Sequence, residues 1–305
     1  MNSRENVSYF GFSQKSSLLA AVCLAIVSGG IALLVCSSQL ESRRINVMTR
    51  FEQEVTSWLD GASQAVNIWN TEMKKLRLRV SESETYRLFS GDLFGLDSHI
   101  AEVINSAEQT GELPGPAAVL SEEVPVIRRI LLEFMNYNGL LDARLVNGDG
   151  QTILSAFSTP SPLTKDQKKA ALETMKNGKT VFLPVRGGSN GLVLDVFEPV
   201  YDLDSPDTCV AVFMSSVPVL AKVTQFTARP KQNDMSTASM IQQKGDAWEN
   251  MQVPTPVPVP PELNSVLTEK KGVLPFGLRR SVFENGGMVY SMSVFYPGLN
   301  WSLVH

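Results

Sequence analysis

Residues 143–156 read Ala-Arg-Leu-Val-Asn-Gly-Asp-Gly-Gln-Thr-Ile-Leu-Ser-Ala, and the fold class turns on them. Two short β-rich runs, Ala143–Asn147 and Gln151–Ala156, flank an Asn-Gly-Asp-Gly turn, the pattern of a β-hairpin. Downstream, Thr164 is placed to cap a helix through Met175 that stops at Asn177-Gly178. Three strand candidates follow: Thr180–Val185, Leu192–Tyr201 and Cys209–Val217. The order is strand, strand, helix, strand, strand, strand. A weaker copy lies further on. Ala238–Gln243 and Ala247–Gln252 flank Lys-Gly-Asp, Pro261–Thr268 stands in the helix position, and Arg279–Glu284, Met288–Tyr296 and Asn300–Val304 are strand-like. A period near one hundred residues reads as a duplicated domain, not a solenoid.

Towards the N-terminus the period changes. Phe51, Val55, Trp58, Ala62, Ala65, Trp69, Met73, Leu76 and Val80 recur at spacings of three and four, one face of a helix over about 42–80. The stripe has two candidate partners: the protein's own sheet, or a second copy of the chain in a homodimer. Residues 81–142 read as helix and loop. Asp97–Gln109 has a helical pattern, Pro114-Gly115-Pro116 interrupts it, and Val124–Tyr137 restores it. Further upstream Ser16–Leu40 carries no charge and Leu18–Cys36 is almost continuously apolar. About nineteen helical residues span roughly 28 Å, close to the thickness of a bilayer's hydrocarbon layer. Ser28-Gly29-Gly30 is tolerable there, since Ser bonds back to its own helix. The run is too long for a cleaved leader, so an uncleaved signal anchor is the reading adopted.

Composition narrows the function classes. The chain has 305 residues, 43% of them hydrophobic, so a mainly disordered protein is excluded. With 27 basic against 31 acidic residues, nothing attracts nucleic acid. The predicted organisation is a tail at 1–15, a transmembrane anchor at 16–40, a stalk at 41–80, a membrane-distal unit at 81–230 and a smaller membrane-proximal unit at 231–305.

A membrane anchor, a long helix and two successive PAS-like sheets resemble the double Cache sensor region of bacterial transmembrane receptors. The residues carrying this are Arg144-Leu-Val-Asn-Gly-Asp-Gly-Gln-Thr-Ile-Leu154, Phe197-Glu-Pro-Val-Tyr-Asp202 and Pro297-Gly-Leu-Asn-Trp-Ser-Leu-Val304. The resemblance implies an α+β fold: a transmembrane helix, a stalk helix and two tandem antiparallel five-stranded sheets flanked by helices. It also implies a single-pass protein of the inner membrane, with residues 41–305 extracytoplasmic. In the family a second membrane helix leads on to an output module. Because the chain stops at His305, the expectation is a sensor without its own output module, acting through a separate signalling partner.

Several motifs that imitate chemistry are better read as structure. Gly187-Gly-Ser189-Asn-Gly191 matches a nucleophile elbow, but a strand follows it instead of a helix, and the only downstream histidine is His305. Gly178-Lys179-Thr180 lacks the glycine-rich loop of a phosphate site. Asp202, Asp204 and Asp207 surround Pro206 and lack the closing glutamate of a calcium loop. Cys209 reads as a small buried apolar residue, His99 has no second ligand near it, and residues 253–261 read as a polyproline II connector. No enzyme, metal or cofactor is expected.

In PAS-like domains a ligand lies between the sheet and what covers it. That geometry, carried over by resemblance, selects Phe182, Arg186, Asp195, Phe197 and Tyr201. They would supply aromatic walls, one cation and one anion for a small extracytoplasmic ligand bearing a charged, anionic group. Asp195, Phe197 and Tyr201 share strand parity and hence one face. The family's amino-acid-binding signature is not found before these strands. The contrasting reading is a membrane-anchored structural or interaction protein that binds no small molecule.

Overall fold

The computed structural model describes residues 14–96, 115–189, 191–228, 238–251, 255–268, 278–282, 288–293 and 299–305. The chain divides into two units, Met1–Thr56 and Ser57–His305. Helix α1 spans Gln14–Ser81 without a break.

Over residues 21–47 of the first unit α1 exposes its apolar residues on every side, including Leu24, Ile26, Ile31, Leu33 and Leu34. The hydroxyls among them are satisfied within the helix: Ser28 donates to the Ala25 carbonyl, Ser37 to Leu34 and Ser38 to Val35. A helix apolar all round with no orphaned polar group suits hydrocarbon. By length and composition this segment can cross a membrane.

The second unit holds two separate antiparallel sheets. In the first, β1 (Asp142–Val146), β2 (Thr152–Ser155), β3 (Val181–Phe182), β5 (Gly191–Tyr201) and β6 (Cys209–Pro218) run in the order β2-β1-β6-β5-β3, and β4 (Arg186–Gly188) also pairs with β5. In the second, β7 (Ser239–Lys244), β8 (Ala247–Asn250), β9 (Val257–Pro258), β10 (Leu278–Val282), β11 (Met288–Ser293) and β12 (Trp301–Val304) run β10-β11-β12-β7-β8-β9. Both sheets set the first strand of the opening hairpin against the last strand of the module (β1 on β6, β7 on β12). The duplication read from the sequence is therefore a duplication of topology.

Three differences from expectation have local causes. The strand predicted at Thr180–Val185 ends early. Leu183 still donates to the Asp195 carbonyl, but Pro184 has no N–H to continue the ladder, and the chain leaves β5. It returns at once as β4, so Arg186–Gly188, expected to belong to a closing loop, is paired strand. Ser189 thus stands at a hairpin tip. The proline-rich connector also gains a strand, since Val257 and Pro258 sit on the sheet edge, where a missing N–H does no harm. Among the described residues each sheet accordingly has six strands instead of five.

Helices cover both faces of the first sheet. On one side are α1, α2 (Glu84–Phe94) and α3 (Gly115–Tyr137), with Phe134 of α3 edge-on to Phe213 at 6.2 Å. Helix α3 starts earlier than predicted because Pro116 is acceptable in a first turn. The helical pattern at Asp97–Gln109 and His99 lie outside the described residues. In the second unit α1 buries Leu59, Ala62, Val66, Asn70 and Arg77, and Trp69 stacks on Trp301 of β12 at 6.2 Å. The stripe thus packs on the protein's own sheets. Its centre includes two polar residues that the apolar pattern passed over.

On the other face lies α4 (Lys165–Asn177). Thr164 Oγ1 accepts from the Gln167 N–H at 3.2 Å, and Gln167 Oε1 accepts from the Thr164 N–H at 2.9 Å, a reciprocal capping box. Gly178 ends the helix at φ 60°. Thr164→Ala is expected to cost about 1 kcal/mol, read as a small fall in urea midpoint with unchanged slope. A changed slope would mean that more than the cap was lost. Helices α5 (Leu220–Thr227) and α6 (Pro261–Thr268) complete the unit.

Candidate functional site

The β-sheet rows explain how the candidate residues are distributed. Asp142, Ser216 and Asp195 face one another across β1, β6 and β5, and Arg144, Met214, Phe197 and Val181 form the next row. Both rows face α4. Asp195 is 1% exposed, and every approach to its carboxylate is occupied. Oδ1 accepts from Ser216 Oγ at 2.6 Å and Arg186 Nη2 at 3.1 Å. Oδ2 accepts from Arg186 Nε at 2.7 Å and Gln167 Nε2 at 3.0 Å. The Asp195 hydrogen bond raises the Arg186 pKa further above its ordinary range, so the guanidinium is permanently charged.

Arg186 uses only one edge of its fork on Asp195, and 46% of its side chain is exposed. It opens on a cleft of about 890 Å³ bounded by α4, the β3–β4 segment and the β7–β8 hairpin of the second sheet. Lys169 and Glu173 line it from α4, Phe182 and Pro184 from the middle, and Lys244 and Glu249 from the second sheet.

The structure brings together three of the five candidates at this cleft, Phe182, Arg186 and Asp195. Phe182 is one residue out of phase, and its ring lies under the Arg77 guanidinium at 5.5 Å, on the α1 side of the sheet. Phe197 shares the α4 face but is fully buried among Ala170, Ala171, Val212 and Met214. Tyr201 is on that face too, at the far end of β5, where its hydroxyl donates to the Gly178 carbonyl at 3.0 Å. Sequence reading missed Gln167, Ser216 and Gln242. The Thr164–Gln167 spacing was a signal for the first; no local signal marked the other two.

Behind the cleft the opposite face of the sheet carries a second charged pair. Arg77 Nε donates to Glu198 Oε2 at 3.5 Å, both side chains 4–6% exposed, and Thr180 Oγ1 donates to Glu198 Oε1 at 2.9 Å. Burial raises the Cys209 thiol pKa, which disfavours the nucleophilic thiolate. Among the described residues no three acidic, histidine or cysteine side chains converge as a metal site would require.

A membrane-length helix continuing into two sheets of one shared topology is the arrangement that the resemblance implies. The fold is similar to that of a double Cache region. No protein-family profile and no curated protein matches the chain. Solved structures similar to it include the sensory domain of the Campylobacter jejuni chemoreceptor Tlp3 (CcmL) with isoleucine bound, at 12% identity and TM-score 0.47 over 82% of this chain and 89% of that one. The sensor domain of the Vibrio cholerae histidine kinase DctB is similar at 12% identity and TM-score 0.46, over 83% of this chain and 95% of that one. The ligand-binding domain of the Pseudomonas fluorescens chemoreceptor CtaA in complex with L-serine gives 10% identity and TM-score 0.42, over 83% and 94%.

Proposed function

We propose that this chain is the extracytoplasmic sensor region of a single-pass receptor of the inner membrane, and that its first double Cache module binds a small molecule bearing a carboxylate or similar anion. The observation that carries this is Arg186: Asp195 holds one edge of its guanidinium, and the rest faces a roomy cleft. Planar, permanently charged and oriented before a ligand arrives, it is suited to a carboxylate. In this reading Asp195, saturated by its own bonds, positions Arg186, and Phe182 borders the cleft. Residues 41–305 lie outside the cytoplasm, so reporter fusions after Val80 and Val217 both read extracytoplasmic. Ile68 of α1, apolar and exposed, is a residue that a second copy of the chain would cover.

The test is a thermal-shift screen of the full chain in detergent against carboxylates, amines, purines and sugars. A stabilising carboxylate is the expected hit. Arg186→Ala should then weaken binding tenfold to more than a hundredfold, the loss of about 1.5–3 kcal/mol from a charge-assisted contact. Because Ala also strips buried Asp195 of its cation, the unliganded protein melts lower as well. Arg186→Lys separates the two effects, keeping a cation near Asp195 while losing the fork. Unaltered affinity in both variants removes Arg186 from the site. A screen without any hit favours the interaction-protein reading.

A further inference from the structure

Val185 immediately precedes Arg186, and its backbone is held from the other sheet. Gln242 on β7 is 1% exposed. Its Oε1 accepts from the Val185 N–H at 2.6 Å, and its Nε2 donates to the Val185 carbonyl at 2.8 Å. Nε2 also donates to Glu249 Oε2 at 3.0 Å, and Glu249 Oε1 accepts from Lys244 Nζ at 3.4 Å. A carboxamide has one acceptor and two donor hydrogens on adjacent atoms, so it can serve both backbone groups of one residue as a neighbouring strand would. It does so where that service is needed, because Pro184 has just taken the chain out of the β5 ladder. The same Lys244 and Glu249 form the wall of the cleft contributed by the second sheet.

We infer that the cleft is a composite site of the two sheets, in which Gln242 is the positioning residue for Arg186. It acts through Val185, fixing the backbone from which the guanidinium projects. The cleft's walls carry cations at Lys169, Arg186 and Lys244 and carboxylates at Asp166, Glu173 and Glu249. They suit a ligand that sets its carboxylate on Arg186 and extends polar groups to the β7–β8 hairpin, touching both modules. The inference rests on the proposed role of Arg186 as the anion contact.

The experiment uses the full chain in detergent with Gln242→Met, which keeps the length of the side chain and bonds neither backbone group. Three quantities are read: amide exchange at Val185, modification of Arg186 by phenylglyoxal resolved by mass spectrometry, and protection of Arg186 by acetate. The expected result is exchange at Val185 accelerated at least tenfold and reaction at Arg186 altered at least threefold, with exposed Arg129 of α3 unchanged. Acetate protection, present in the wild type, should be lost. Wild-type rates at both Val185 and Arg186 would overturn the inference, as would acceleration spread evenly over the unit. If Gln242→Met does not fold, Gln242→Glu, which keeps the acceptor and loses the donor, is read by the same measures and against the same outcomes. Should acetate fail to protect even the wild type while the variant still alters Arg186, the carboxylate reading falls and the positioning role stands.

Discussion

Arg77→Met is expected to destabilise the Ser57–His305 unit by about 3–5 kcal/mol, since it leaves the Glu198 carboxylate buried without its cation. The Thr180 hydroxyl would then remain as a neutral donor to Glu198. The variant also loses the guanidinium over the Phe182 ring, a contact of about 2 kcal/mol when shielded from water. For a unit of this size the melting temperature should fall by about 6–20 °C. The companion measurement is Arg77→Met with Glu198→Leu. A buried ion pair replaced as a whole by apolar residues of similar volume is often neutral, so the double variant should recover most of the loss. A single variant within about 1 kcal/mol of wild type would show that water reaches Glu198.

Phe197→Ala is expected to cost a further class of stability, about 3–5 kcal/mol, by opening a cavity. Phe197 is wholly buried and is not itself one of the residues that line the cleft. The sequence made it a candidate ligand contact; its surroundings make it the centre of the layer between the sheet and α4. The discriminating measurement is Phe197→Leu, which keeps most of the volume. Affinity for a hit from the ligand screen should be nearly unchanged in that variant. A tenfold loss of affinity with stability retained would return Phe197 to the site.

What could be read in advance was whatever local chemistry determines. Thr164 and Asn177-Gly178 mark both ends of α4 because caps are satisfied by neighbours a few residues away. The recurring order of strands was visible because turns and alternation are local too. Alternation also placed Asp195, Phe197 and Tyr201 on one face. It could not say how far along that face the cleft extends, and this is why Tyr201 ends up on Gly178 and Phe197 in the core. Phe182 differs from its partners by one residue of phase, and only the register of β3 on β5 reveals it. The bonds Val185–Gln242 and Arg77–Glu198 join residues 57 and 121 positions apart. No spacing rule reaches that far.

Gln167 has two occupations, and together they narrow how this chain can diverge. In a capping box glutamate serves as well as glutamine, and the codons of the two differ by a single base. Here Oε1 serves the helix start while Nε2 serves Asp195. Glutamate would keep the first service and set a second carboxylate against the one that holds Arg186. One of the easiest steps in the genetic code is therefore closed at this position for as long as the Asp195 carboxylate stays, and a lineage that takes it must first give up the group that holds the cation at the cleft.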